Sequence, residues 1–244
     1  MDKMKLQQLL SLTRQAVDDY EMIDEGDKIA IGISGGKDSL TLLYALSHLK
    51  AFYPKHFDLV GITVDVGFSN IDFSRIQDLC DSLQIPYHII RTQIAQIVFD
   101  AREDKNPCSL CSRMRKGAMN AAVRELGCNK VAFAHHKDDL LESMMMSLLF
   151  EGRLHTFSPV THWDRTDLTL IRPLIYMYEG DVKGFVREMD LPVVKNPCPA
   201  DGSTKREYAK KVINQMNHDH PGSKARMFRA VMEGIVNPDC PPAR

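Results

Sequence analysis

The chain has 244 residues, 44% of them hydrophobic and 26% charged, with a formal net charge of −1. These values suit a globular chain of one large domain or two small ones, with a core that needs no disulfide staples. They exclude a uniformly basic nucleic-acid coat, though not a local basic patch, and no run of about eighteen apolar residues offers a membrane span.

Residues 1–23, MDKMKLQQLLSLTRQAVDDYEMI, have the spacing of an amphipathic helix with charges throughout. A secretory signal needs an uninterrupted apolar core there, so the expected location is the cytoplasm. A buried strand is predicted over 28–34 and a helix over 38–50, then a strand over 57–66 and a helix over 72–85. Strands follow over 87–92, 130–135 and 168–174, with helices over 112–127 and 138–152 between them. Strands alternating with helices predict an α/β fold, a parallel five-stranded sheet with helices on both faces. Beyond residue 175 the β-type runs stop, and three helical patterns follow without an obvious linker. The expected organisation is an N-terminal helix in 1–26, the sheet domain in 27–175, and a helical extension in 176–244 packed on the same domain.

SGGKDS, residues 34–39, joins the first strand to its helix. It is not the loop G-x-x-x-x-G-K-[ST]: Ile31 stands where that loop begins with glycine, and Asp38 where it needs a hydroxyl. The chemistry of a phosphate site is nevertheless present. Gly35 and Gly36 let backbone N–H groups converge on an anion, and the following helix points its positive end at the same place. Ser34, Lys37 and Ser39 add donors, and Asp38 is suited to capping the helix or holding magnesium. The plainer alternative is a glycine turn between strand and helix.

Of six cysteines, Cys108 and Cys111 stand at C-x-x-C spacing in NPCSLCSRMRKG. Such a pair fits a dithiol, half a zinc site, or part of an iron–sulfur site. A thioredoxin-type context and a second C-x-x-C are both absent. Cys198, in NPCPADG, repeats the NPC of Cys108 and falls in a predicted loop. Three thiolates leave a structural zinc site one ligand short, but suit a catalytic [4Fe–4S] cluster with one open iron. Cys80 and Cys128 read as buried thiols, and Cys240 lies in the tail.

HHKDDLLES follows the fourth strand. Asp138 and Asp139 fit either helix capping or magnesium on nucleotide phosphates, since magnesium favours one or two carboxylates plus phosphate oxygens. On the magnesium reading a histidine here, His135, lies near the α-phosphate, and on the capping reading the histidines are solvated; Glu142 lies one helical turn on. Arg113, Arg115 and Lys116 follow Cys111, Lys205, Arg206, Lys210 and Lys211 follow Cys198, and Lys224, Arg226 and Arg229 come later. These clusters read as solvated helix faces or as phosphate partners for RNA. Phe157, Trp163, Tyr176 and Tyr178 are available to stack on bases, with nothing to select one.

The order SGGKDS, PCSLCSRMRKG, HHKDD, IRPL, NPCPADGSTKR, over about residues 27–215, resembles the tRNA 2-thiocytidine synthetases of the ATP pyrophosphatase superfamily. The resemblance implies the adenine nucleotide α-hydrolase-like fold. It implies that residues 34–39 grip the β- and γ-phosphates of ATP, that Asp65 lies near the adenine, and that Cys108, Cys111 and Cys198 hold a [4Fe–4S] cluster. The implied reaction adenylates the C2 oxygen of a cytidine in a tRNA anticodon loop and replaces it with sulfur, releasing pyrophosphate and AMP. ATP, Mg2+ and the cluster are the implied cofactors. A cysteine desulfurase or free sulfide is the implied sulfur donor, and a homodimer the implied assembly. The alternatives are 2-thiouridine synthesis, persulfide-based thiolation, lysidine-type modification, and an ATP- or cluster-binding regulatory module without turnover.

Overall fold

Side-chain alternation along the first strand sets the layers. In the computed structural model, which describes residues 5–68, 71–100, 107–164, 166–194, 198 and 205–237, β1 is Asp27–Gly32. Ile29 and Ile31 belong to one hydrophobic cluster and Ala30 to a second, so β1 is covered on both faces, as the period of two requires. Parallel pairing joins β1 to β2 (Phe57–Asp65) on one side and to β4 (Lys130–Ala132) on the other. The strand β3 (Tyr87–Arg91) closes one edge against β2.

The sheet has six strands rather than the five expected, in the order β3-β2-β1-β4-β6-β5. The addition is β5 (Val160–Trp163), antiparallel to β6 (Leu168–Ile171) across a tight turn that holds Asp167 at φ +51. No residue of β5 is fully buried, so its VTHW lacks the apolar run by which a strand shows itself in sequence. The sheet is therefore parallel with an antiparallel edge. The strand β4 is also shorter than the predicted 130–135, although Phe133 N–H still donates to Ile171 O at 3.0 Å.

The larger cluster gathers α1 (Leu6–Asp19), α2 (Lys37–Lys50), α3 (Ser74–Ser82), α5 (Lys137–Glu151), α6 (Glu179–Glu188), α7 (Lys205–Asp219) and α8 (Ser223–Val231). Val182 and Phe185 of α6 and Ile213 of α7 share it with Leu9 and Val17 of α1. On the opposite face, α4 (Pro107–Glu125) packs Met119, Ala122 and Val123 against Val60 and Ile62. That helix begins at Pro107, five residues before the predicted 112, so Cys108 and Cys111 occupy its first turns. Proline suits a first helical position because its missing N–H is not needed there. Cys80 and Cys128 are buried thiols, as expected; Cys240 lies outside the described residues.

Strand order reverses between β1 and β4. Ligands in such sheets bind beyond the carboxyl ends of the strands at that point. Residues 34–39 leave β1 there, and His135 leaves β4 there.

Candidate active site

Residues 34–39 form a tight loop built on two backbone requirements. Gly35 has φ +80, a conformation costly for any residue with a Cβ, and a Cβ there would also meet Val194 Cβ at 3.1 Å. Gly36 is extended and precedes α2 directly. The loop is braced from within: Ser34 N–H donates to Ser39 Oγ at 3.1 Å, and the Ser39 hydroxyl donates to Gly36 O at 2.9 Å. It is braced from outside by Val194, whose N–H donates to Gly35 O at 2.9 Å. Val194 stands four residues before Cys198, so this bond anchors the cysteine-bearing segment to the loop.

Two cavities flank the loop. One, of about 580 Å³, is lined by Ser34, Lys37, Asp38, Asp65 and all three cysteines, Cys108, Cys111 and Cys198. Burial raises the Cys111 thiol, Arg115 beside it works in the opposite direction, and the other two cysteines add to the rise. No three His, Cys, Asp or Glu side chains among the described residues form a ready metal-holding group as they stand. The fit to a cluster rests on the donor set, three thiols from two separate segments facing one cavity, which matches a site with three protein ligands. Asp65 ends β2 on the same wall and accepts Gly67 N–H at 3.0 Å.

The second cavity, of about 440 Å³, is lined by Gly32, Asp38, Val64, Met119, Phe133, His135, Asp139 and Trp163, with Arg115 and Lys116. Lys116 Nζ lies 3.9 Å from the centre of the Trp163 ring, a cation–π contact. Burial, reinforced by Arg172, pushes His135 down to about 4, so the imidazole is neutral near pH 7. Its Nδ1 is buried with no hydrogen-bond partner.

The carboxylates after β4 divide in role. Asp139 accepts His136 N–H at 3.0 Å and returns its own N–H to the His136 ring, a reciprocal cap on α5. It also lines the second cavity and pairs with Arg206 Nη1 at 3.3 Å. Asp138 turns away, accepting Glu179 N–H at 2.7 Å and pairing closely with Lys224. Glu142, raised by burial and by Asp139, also meets Arg206. Asp38 stands 3.5 Å from His136 Nε2 and 2.9 Å from Lys37 Nζ. Burial works to raise Asp38, but these two partners outweigh it and hold the carboxyl below the usual range.

Of the basic residues, Arg113 is exposed on α4, and Arg115 lines both cavities. Lys205 lies over the Phe150 ring at 4.8 Å, beyond Arg206. Arg172 is buried, with Nη1 donating to Thr161 Oγ1 at 3.1 Å across the edge hairpin. Glu179 carries no sequence signal, and His136, though part of HHKDDLLES, carries none for its ring contacts with Asp38 and Asp139. Glu179 opens α6 in an ordinary acidic first turn, and its meeting with Lys37 at 3.2 Å depends on tertiary packing.

A parallel sheet with this loop at its reversal point defines a PP-loop protein. The PP-loop domain family matches residues 3–216. Among relatives, the tRNA-cytidine(32) 2-sulfurtransferase of Pelobacter propionicus is 37% identical, over 89% of this chain and 82% of that protein. The protein of the same name from Geobacter sulfurreducens is 33% identical over 98% and 93%. The chain belongs to the PP-loop family and, within it, to the tRNA 2-thiocytidine synthetases. Among solved structures, the U34-tRNA thiolase NcsA from Methanococcus maripaludis with its [4Fe-4S] cluster superposes with a TM-score of 0.73 at 25% identity, over 92% of this chain and 78% of that one. The NH3-dependent NAD synthetase from Campylobacter jejuni shares the fold, with a TM-score of 0.52 at 16% identity. No helix among the described residues is long and apolar enough to cross a membrane.

Proposed function

We propose that this chain is an ATP-dependent tRNA sulfurtransferase that converts a cytidine of the anticodon loop to 2-thiocytidine. The observation that carries the reading is the cavity with the 34–39 loop on one wall and Cys108, Cys111 and Cys198 on another. Activation of a base and delivery of sulfur to it then share one chamber.

The N–H groups around Gly35 and Gly36, the start of α2 and Lys37 bind the β- and γ-phosphates and favour the negative charge that grows on the departing pyrophosphate. Asp38 and Asp139 are suited to holding magnesium there, while Asp138 ties α5 to α6. The C2 oxygen of the base attacks the α-phosphate, and pyrophosphate leaves. On this reading a nucleoside occupies the cavity lined by neutral His135 and by Trp163, whose ring carries Lys116 on one face. Sulfide-level sulfur then bonds to C2, the C2–O bond breaks and AMP leaves; Cys108, Cys111 and Cys198 would hold the cluster that would present that sulfur. Arg113, Arg115, Lys116, Lys205 and Arg206 supply positive charge for the RNA backbone around that mouth. On this reading the sheet unit, residues 27–175, contributes the phosphate loop, Cys108, Cys111 and three of these five basic residues, and the helical part from 176 onward contributes Cys198 and the other two.

A uridine substrate is the second reading, favoured by the thiolase named among the similar structures. Incubation with ATP, sulfide and unmodified tRNA, followed by nucleoside analysis, decides between 2-thiocytidine and 2-thiouridine. Protein purified without oxygen should carry about four irons and four acid-labile sulfides per chain. Cys198→Ala should lose them together with thiolation. Full thiolation without iron would instead support a persulfide route, and no pyrophosphate release with any tRNA would leave only a binding module.

A further inference from the structure

Three lysines from separate positions converge on one carboxylate. Glu179 Oε1 meets Lys37 Nζ at 3.2 Å and Lys183 Nζ at 3.1 Å, and Oε2 meets Lys210 Nζ at 2.9 Å. Lys183 is the ordinary partner one helical turn along α6 and is half exposed. The other two come from elsewhere: Lys37 heads α2 beside the loop, and Lys210 lies midway along α7. The Glu179 side chain is 15% exposed.

Helix capping does not account for this carboxylate. The start of α6 is already satisfied, because Asp138 takes Glu179 N–H and Asp181 takes Tyr178 N–H at 3.0 Å. The carboxylate gathers three ammonium groups, Lys37 and Lys183 on Oε1 and Lys210 on Oε2, and Lys37 is paired with Asp38 at 2.9 Å as well. Without an anion between them such groups repel, and in a partly buried site the repulsion is poorly screened. Lys37 itself belongs to the loop and stands at the start of α2, where the helix presents its positive end. A phosphate group there presents the same recognition surface as the carboxylate, with more oxygens and more charge.

Resting on the reading of residues 34–39 as a phosphate loop, we infer that Glu179 is an internal stand-in for phosphate. It keeps Lys37 and Lys210 gathered at the loop in the free protein and yields both to the nucleotide. Lys210 is then a second phosphate-binding lysine, contributed by the same helical region that carries Arg206. Glu179 is a positioning residue that competes with the ligand it prepares for. Lys183, bonded to Glu179 throughout, retains the carboxylate after the exchange.

The test is calorimetric titration of the full chain with inorganic pyrophosphate and magnesium, with thermal melts to verify that each variant is folded. Lys210→Met should weaken binding about tenfold, the loss of one charge-assisted bond. Lys210→Arg, which keeps the charge, should recover most of that loss. Glu179→Gln should tighten binding several-fold by removing the competitor, an effect opposite to that expected of a purely structural residue. If Lys37→Met weakens binding while Lys210→Met leaves it unchanged, the phosphate loop stands and the handover is wrong. If Glu179→Gln weakens binding, the stand-in role is refuted. If the unaltered chain binds no pyrophosphate, the loop reading itself falls and takes the inference with it. Should Glu179→Gln fail to fold, the contrast between Lys210→Met and Lys210→Arg still decides.

Discussion

Gly32→Ala tests how tightly the end of β1 is built against the second cavity. A Cβ at residue 32 would stand 2.4 Å from Phe133 Cε1 and 2.7 Å from Cδ1. Carbon atoms in contact prefer about 3.5 Å, so the ring has to retreat by roughly 1 Å. Phe133 packs on the smaller hydrophobic cluster and lines the cavity, so part of that retreat narrows the space beside His135 and Trp163. Overpacking of this kind costs about 1–3 kcal/mol, and each kcal/mol lowers the Tm of a chain this size by about 2–4 °C. The assay is thermal unfolding with and without ATP, repeated in Phe133→Leu and in the double variant. The double variant should recover more than half the loss caused by Gly32→Ala alone, and ATP should stabilise Gly32→Ala less than it stabilises the unaltered protein. If Gly32→Ala costs as much in the Phe133→Leu background as it does with Phe133 in place, the two positions are uncoupled and the steric reasoning is wrong.

Asp138 and Asp139 should separate cleanly. Asp138→Ala leaves the partly buried Glu179 N–H without its acceptor and removes the closest partner of Lys224, so it should cost about 2 kcal/mol of stability, whereas Asp139→Asn should lower ATP-dependent turnover with a much smaller stability loss; the reverse pattern in melts and pyrophosphate assays would overturn the division of roles. Glu179 gives a pH signature. Burial works to raise its carboxyl, but Lys210, Lys183 and Lys37 outweigh this and lower it to about 2. Its stabilising effect is complete above the unfolded value near 4.5 and is lost as pH falls through about 2, so the stability gap between the unaltered protein and Glu179→Gln should shrink from pH 5 downward; a constant gap would refute the sign. Trp163 is the single tryptophan, and Lys116 lies over its face. Its emission should change saturably with Mg-ATP, and the signal should vanish in Trp163→Phe; no change up to millimolar ATP would remove the nucleoside from that cavity.

Much of the site is legible in the sequence because its chemistry is local. Glycines at 35 and 36 before a lysine, two cysteines three apart, and acids just after a strand are all signals read within a few residues. The start of α4 is not legible in the same way, because Pro107, the residue that opens the helix, reads equally well as a loop proline. The strand β5 escapes for a different reason: a short edge strand held by pairing with β6, without deep burial, has no apolar period to display. The division between Asp138 and Asp139 is invisible because both acids suit capping and metal alike. It is set by Glu179 and Lys224, which lie 41 and 86 residues further along by subtraction of their numbers.

The order in which the chain leaves the ribosome has a consequence for when this site becomes whole. The loop at 34–39 cannot take its place beside β4 until residue 132 is available, because β1 pairs with both β2 and β4. The pair Cys108 and Cys111 has emerged by then, but Cys198 has not, and neither has Val194, which fastens its segment to Gly35. At about 5–20 residues per second, several seconds of synthesis separate the first two thiols from the third. During that interval the C-x-x-C pair exists without Cys198, the thiol that faces the same cavity. A site with all three thiols can therefore assemble only after residue 198 has been made.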